Sequence, residues 1–77
     1  MVKELVHKIV TALVDHPEQI SINEIQSVQS IVIELKVAKE DLGKVIGKQG
    51  RNAQALRTIL GAASKKMQKH AVLEIIE

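Results

Sequence analysis

The stretch Val45-Ile46-Gly47-Lys48-Gln49-Gly50-Arg51 decides how this sequence is read. Two glycines bracket two polar residues, with apolar, helix-spaced sequence on either side. Glycine tolerates positive φ and lets another backbone approach where a Cβ would stand. A helix that starts at or just after Gly50 turns its unpaired N–H groups and positive dipole end toward the turn. Such a turn can hold a phosphate through backbone donors, with Lys48 and Arg51 adding charge. Taken alone, G-x-x-G also fits an ordinary tight connection between two helices. A P-loop is excluded by spacing: three residues rather than four separate Gly43 from Gly47, and Gln49 follows the lysine where Ser or Thr belongs. Gly43 and Gly47 also form G-x-x-x-G, in a segment too polar for a membrane dimer motif.

Working outward, Asp41 reads as an N-cap for a short helix over Leu42–Ile46. After the turn, Ala53, Leu56, Leu60, Ala63 and Met67 step by threes and fours, which predicts a long helix from Arg51 to about Lys69. At the other end of the chain, Val2, Leu5, Val6, Ile9, Val10 and Leu13 make one apolar stripe of a helix over residues 2 to 14. Asp15-His16-Pro17 ends it, because the residue before proline is pushed out of the helical region.

From Ile20 the period shortens to two. Ile20 and Ile22 alternate with Ser21 and Asn23, and Ile25 falls out of step, which predicts a bulge or a register change. Ile31, Ile33, Leu35 and Val37 alternate cleanly and give the firmest strand, with Gln26 to Ser30 as the hairpin turn before it. The branched segment Ala71–Ile76 reads as a last strand. The order is α-β-β-α-α-β, an α+β class of fold, and 77 residues suit one domain over 1–77 with a single thin core.

Phe, Tyr, Trp and Cys are all absent. No disulfide or thiolate metal site can form, and modules that stack bases on aromatic rings are excluded. The apolar runs are too short to span a bilayer and the N-terminus lacks the apolar core of a signal peptide, so the expected location is the cytoplasm, with no membrane partner. The net charge of +2 conceals an asymmetry. Leu42 to Leu73 contains seven lysines and arginines and no acid, while the rest of the chain holds four lysines against all nine acids. Arg51, Lys65 and Lys69 fall opposite the apolar stripe of the long helix, where concentrated positive charge points to a polyanion.

With that setting, Val37 to Arg51, continuing through Ala55-Leu56-Arg57-Thr58, resembles the small bacterial single-KH RNA-binding proteins called KhpA. The resemblance implies a type II KH-like domain, a three-stranded sheet with its helices packed on one face. It also implies a groove for about four nucleotides of single-stranded RNA. Gly47, Lys48, Gln49 and Gly50 would clamp the backbone, and Lys44, Arg51 and Arg57 would add charge. Val45, Ile46 and residues of the Ile31–Val37 strand would form an apolar floor. Many KH domains carry a bulky aliphatic residue three positions after the second glycine; here it is Ala53, which implies a wider or less apolar groove at that point. Further implications are a role as RNA chaperone or post-transcriptional regulator, a link to cell envelope and cell-length control, and a larger KH-containing RNA-binding protein as partner.

No pattern of catalytic chemistry emerges, and neither a cofactor, a metal nor a small-molecule substrate is expected. His7, His16 and His70 stand far apart, Glu40 and Asp41 suit helix capping, and the serines lack a nearby base. Two other readings stay open. One is a helix-turn-helix reader of duplex DNA using Arg51, Gln54, Arg57 and Thr58. The other is a protein-interaction subunit of a larger complex, since a core this small is often supplemented by homodimer or heteromer formation.

Overall fold

Val2, Val6 and Val10 recur one helical turn apart and form the buried stripe of helix α1 (Val2–Leu13). In the computed structural model, which describes residues 2–77, this helix leads through a 3₁₀ turn at Pro17–Gln19 into strands β1 (Ser21–Gln26) and β2 (Ser30–Lys36). A second 3₁₀ turn, Lys39–Asp41, precedes the short helix α2 (Leu42–Ile46). The glycine turn then opens helix α3 (Arg51–Lys66), and strand β3 (His70–Ile76) follows.

The strands form one sheet of order β1-β2-β3. β1 and β2 are antiparallel, and β2 and β3 are parallel, so their connection must cross over the sheet; α2 and α3 supply that crossover. β2 lies in the middle, which is why Ile31, Ile33 and Leu35 are fully buried. They pack with the α1 valines, Val45 of α2, Leu56 and Leu60 of α3, and Leu73 of β3. All three helices therefore cover one face of the sheet. This is the expected α+β, type II KH-like arrangement, α-β-β-α-α-β with a three-stranded sheet.

Three local expectations are corrected. Ile25 marks no bulge: the β1–β2 ladder runs in unbroken register from Ser21↔Lys36 to Gln26↔Ile31. Ile25 simply occupies the outer face of the sheet, opposite Val32, where it is half exposed. Secondly, α3 ends at Lys66 rather than near Lys69, because Gln68 adopts a left-handed conformation with φ 58°. The N–H of Lys69 reaches back to the carbonyl of Ser64 and that of Gln68 to Lys65, a Schellman closure.

The third concerns Asp41, which stands at the N-cap position of α2 but caps nothing with its side chain. Its carboxylate is fully buried and accepts the backbone N–H groups of Asp15 at 3.1 Å and His16 at 2.9 Å. Already in the helical region at φ −95° and ψ −8°, Asp41 points its carboxylate away from α2 and ties down the chain leaving α1.

Candidate nucleic-acid interface

Three of the four residues in the turn have positive φ: Gly47 at 78°, Gln49 at 58° and Gly50 at 74°. Gly47, with ψ 170°, sits in a region essentially closed to side chains. It also has no room for one, since a Cβ there would lie 2.8 Å from the backbone nitrogen of Asn52. Asn52 comes this close because its side-chain amide donates to the carbonyl of Lys44 at 2.8 Å, satisfying a group left unpaired at the end of α2. The first glycine is thus required by contact and the second by conformation alone, for Gly50 has open space where a Cβ would stand.

The turn borders a cleft of about 280 Å³ lined by Ile46, Gly50, Ala53, Arg57, Ile75 and Glu77. Larger clefts exist elsewhere on the surface; this is the one the glycine turn faces. α2 contributes Ile46, α3 contributes Ala53 and Arg57, and the end of β3 contributes Ile75. Arg57 spans the gap, donating to the Leu73 carbonyl of β3 at 3.4 Å.

The floor differs from the one expected. Val45 and the inward residues of β2 are wholly buried and cannot touch a ligand. Being central, β2 is covered by helices on its inner face, so the edge strand β3 forms the wall that faces α3. Of the Val45-Ile46 pair, only Ile46 reaches the cleft. Ala53, the small residue at the position noted in the sequence, lies at the base of this cleft and is almost buried.

The cations separate into two groups. Lys48, Arg51 and Arg57 are exposed and, among the described residues, form no ion pair. Arg51 donates to the side-chain oxygen of Gln49 at 3.3 Å. Lys44 behaves differently. It is hydrogen-bonded to Asp15 and lies 3.7 Å from Asp41. The hydrogen bond to Asp15 and the charges of both acids push its pKa up. Lys44 therefore joins the Asp41 cluster on the α1 side of α2 and is neutralised there. For Asp41, burial opposes ionisation, but the two backbone donors, with His16 and Lys44 nearby, outweigh it and hold the carboxyl below its ordinary value.

Sequence reasoning missed Ile75, Glu77 and Asn52. Nothing local in Ala71–Ile76 says that its strand is the edge beside α3. Asn52 did carry a signal, as an amide in the first turn of a helix that follows a glycine, within reach of a neighbouring carbonyl.

A mixed three-stranded sheet, α-β-β-α-α-β order and a G-x-x-G turn between two helices, facing a cleft, define a KH domain. Residues 3–75 match the family model described as KhpA/KhpB, KH domain, and the chain belongs to that family. It is 60% identical over 73 residues to the RNA-binding protein KhpA of Caldanaerobacter subterraneus, covering 95% of this chain and 97% of the relative. The RNA-binding protein KhpA of Clostridium perfringens is 55% identical over 74 residues, with 96% and 99% covered. That of Aquifex aeolicus is 49% identical over 75 residues, with 97% and 95% covered. No solved structure matches. The family is not one of enzymes. Among the described residues no helix is long and apolar enough to cross a membrane.

Proposed function

We propose that this chain, as a single KH domain, binds single-stranded RNA and holds about four nucleotides of it in the cleft beside the glycine turn. One observation carries the reading. Arg57, in no ion pair among the described residues, lines a cleft whose walls at Ile46, Ala53 and Ile75 are apolar, and Lys48 and Arg51, likewise unpaired, belong to the glycine turn that borders it. Phosphates meet the cations and the turn, and bases lie against the aliphatic walls, which needs no aromatic ring. The naming of close relatives as RNA-binding proteins supports the same reading. A helix-turn-helix mode is not favoured, because α2 has only five residues and the three strands build a sheet.

The resemblance supports a role as RNA chaperone or post-transcriptional regulator in the cytoplasm, linked to cell envelope and cell-length control. Its partner there is a second copy or a larger KH-containing protein. One groove of about four nucleotides gives weak monomeric affinity, and avidity in an oligomer raises it.

The test is the double change Lys48→Asp with Gln49→Asp, at two exposed positions outside the core. Binding of a short single-stranded RNA should be lost while the circular dichroism and melting temperature stay nearly unchanged. Retained affinity would sink the loop-clamp reading. For the unmodified protein, a log–log salt slope of roughly −2 to −3 is expected from three or four phosphates. Competition with duplex DNA should leave RNA bound.

A further inference from the structure

The groove does not stop at Glu77. That residue also borders a second cleft, of about 420 Å³, whose lining includes Gln19, Lys36, Lys39, Leu42 and Ile76. The two clefts adjoin along α2, where Leu42 and Ile46 lie one turn apart on the same side of the helix. They also adjoin along β3, where Ile75 lines one and Ile76 the other. Ile76 pairs with Lys36 in the parallel ladder, so the second cleft passes over the end of the sheet, from α2 toward its open face.

The chemistry of the second cleft repeats that of the first. Lys36 and Lys39 are exposed, and among the described residues neither is in an ion pair. The acids nearest them in sequence are engaged elsewhere: Glu34 accepts the side-chain amide of Asn23 at 2.8 Å, Glu40 lies 3.7 Å from His16, and Asp41 is buried against the backbone N–H groups of Asp15 and His16. Leu42 and Ile76 supply apolar surface, and Gln19 supplies an amide that can both donate and accept. Glu77 is the one acid on the shared wall. An ionised carboxylate only accepts hydrogen bonds, so it suits a base amino group and repels a phosphate.

We propose that the RNA strand continues past the four-nucleotide groove, over the end of the sheet, with Lys36 and Lys39 holding two further phosphates. A base, rather than the backbone, passes Glu77. This rests on the RNA-binding reading above and extends its footprint to the opposite, acid-rich part of the sequence. It also gives Lys36 and Lys39 a task that the concentration of charge between Leu42 and Leu73 does not suggest.

The experiment compares random-sequence RNA pools of four and eight nucleotides on the full chain, followed by amide NMR shifts and by fluorescence anisotropy. The octamer should bind more tightly than its greater number of registers explains, and only the octamer should shift the amides of Gln19 and Lys36 to Lys39. The double variant Lys36→Ala with Lys39→Ala should weaken the octamer roughly tenfold and flatten its log–log salt slope by about 1.4, the share of two single-strand phosphates. Tetramer affinity and melting temperature should not change. If the octamer gains nothing, or keeps its gain in that variant, the extension is wrong while the four-nucleotide groove stands. If the gain vanishes instead in Lys65→Ala with Lys66→Ala, the strand leaves along α3 and the proposal also fails. If the unmodified protein binds neither pool, the RNA-binding reading and its extension fall together.

Discussion

Replacing Gly47 by alanine separates the backbone geometry of the turn from its charge. At φ 78° and ψ 170° any side chain is strained, at a cost of about 1–3 kcal/mol. The new Cβ would also lie 2.7 Å from Cγ of Asn52 and 2.8 Å from its backbone nitrogen. Cγ can swing away only by giving up the hydrogen bond to the Lys44 carbonyl, worth about 1 kcal/mol. The nitrogen cannot swing at all, because it belongs to the first turn of α3. Together these come to roughly 3 kcal/mol or more. In a domain of this size each kcal/mol lowers the melting temperature by about 4–8 °C, so a fall of roughly 12–24 °C is expected.

Gly50→Ala is the control. Its Cβ meets nothing within 4 Å, and the left-handed conformation alone costs about 1–2 kcal/mol, partly offset by a less flexible unfolded chain. Thermal melts by circular dichroism, with urea titrations alongside, should therefore rank Gly47→Ala well below Gly50→Ala. Adding Asn52→Ala to Gly47→Ala should not restore stability, since the backbone nitrogen stays in place. Equal melting temperatures for the two glycine variants, or rescue by Asn52→Ala, would refute the reasoning from close approach.

Two other outcomes are expected. Gln68→Gly should raise stability by about 0.5–1 kcal/mol, read from the urea midpoint, because glycine occupies the left-handed closing position of α3 without the Cβ penalty; a loss of stability would contradict the account of how α3 ends. Asp41 should contribute to acid sensitivity. A carboxyl whose pKa is depressed on folding stabilises the native state above its unfolded value of about 4 and stops doing so as pH falls through the folded value. Melting temperature followed from pH 7 to pH 2 should fall more steeply below about pH 4 in the unmodified protein than in Asp41→Asn. Asp41→Asn should start from a lower value at neutral pH, and superimposable profiles would rule out the buried carboxylate as a latch.

The element order was legible because periodicity is local: the valine stripe of α1, the alternation of Ile31, Ile33 and Leu35, and the three-four steps of α3 each report their own geometry. The turn was legible because two glycines at that spacing announce positive φ. What was not legible depends on partners distant in sequence. Asp41 looked like a cap for the helix beside it, while its donors, Asp15 and His16, lie 26 and 25 residues away. The apolar floor is expected from the strongest strand pattern, yet that pattern belongs to the most buried strand, and the cleft beside the turn is lined by Ile75 of the edge strand β3. Gln68 hid the end of α3 because a glutamine gives no sign of a left-handed conformation.

The parallel pairing of β2 with β3 has a consequence in time. Ser30 meets His70 across a gap of 40 residues, so the hairpin of β1 and β2 can form as soon as it is synthesised, whereas the sheet cannot be completed until the last described strand emerges. Until then a nascent chain already displays the glycine turn and its cations, but it has no opposing wall at Ile75 and no Leu73 carbonyl to position Arg57. Such a chain carries the exposed cations of the turn without the cleft beside them. The cleft beside the glycine turn thus arrives only with β3, after the turn that borders it has already been made.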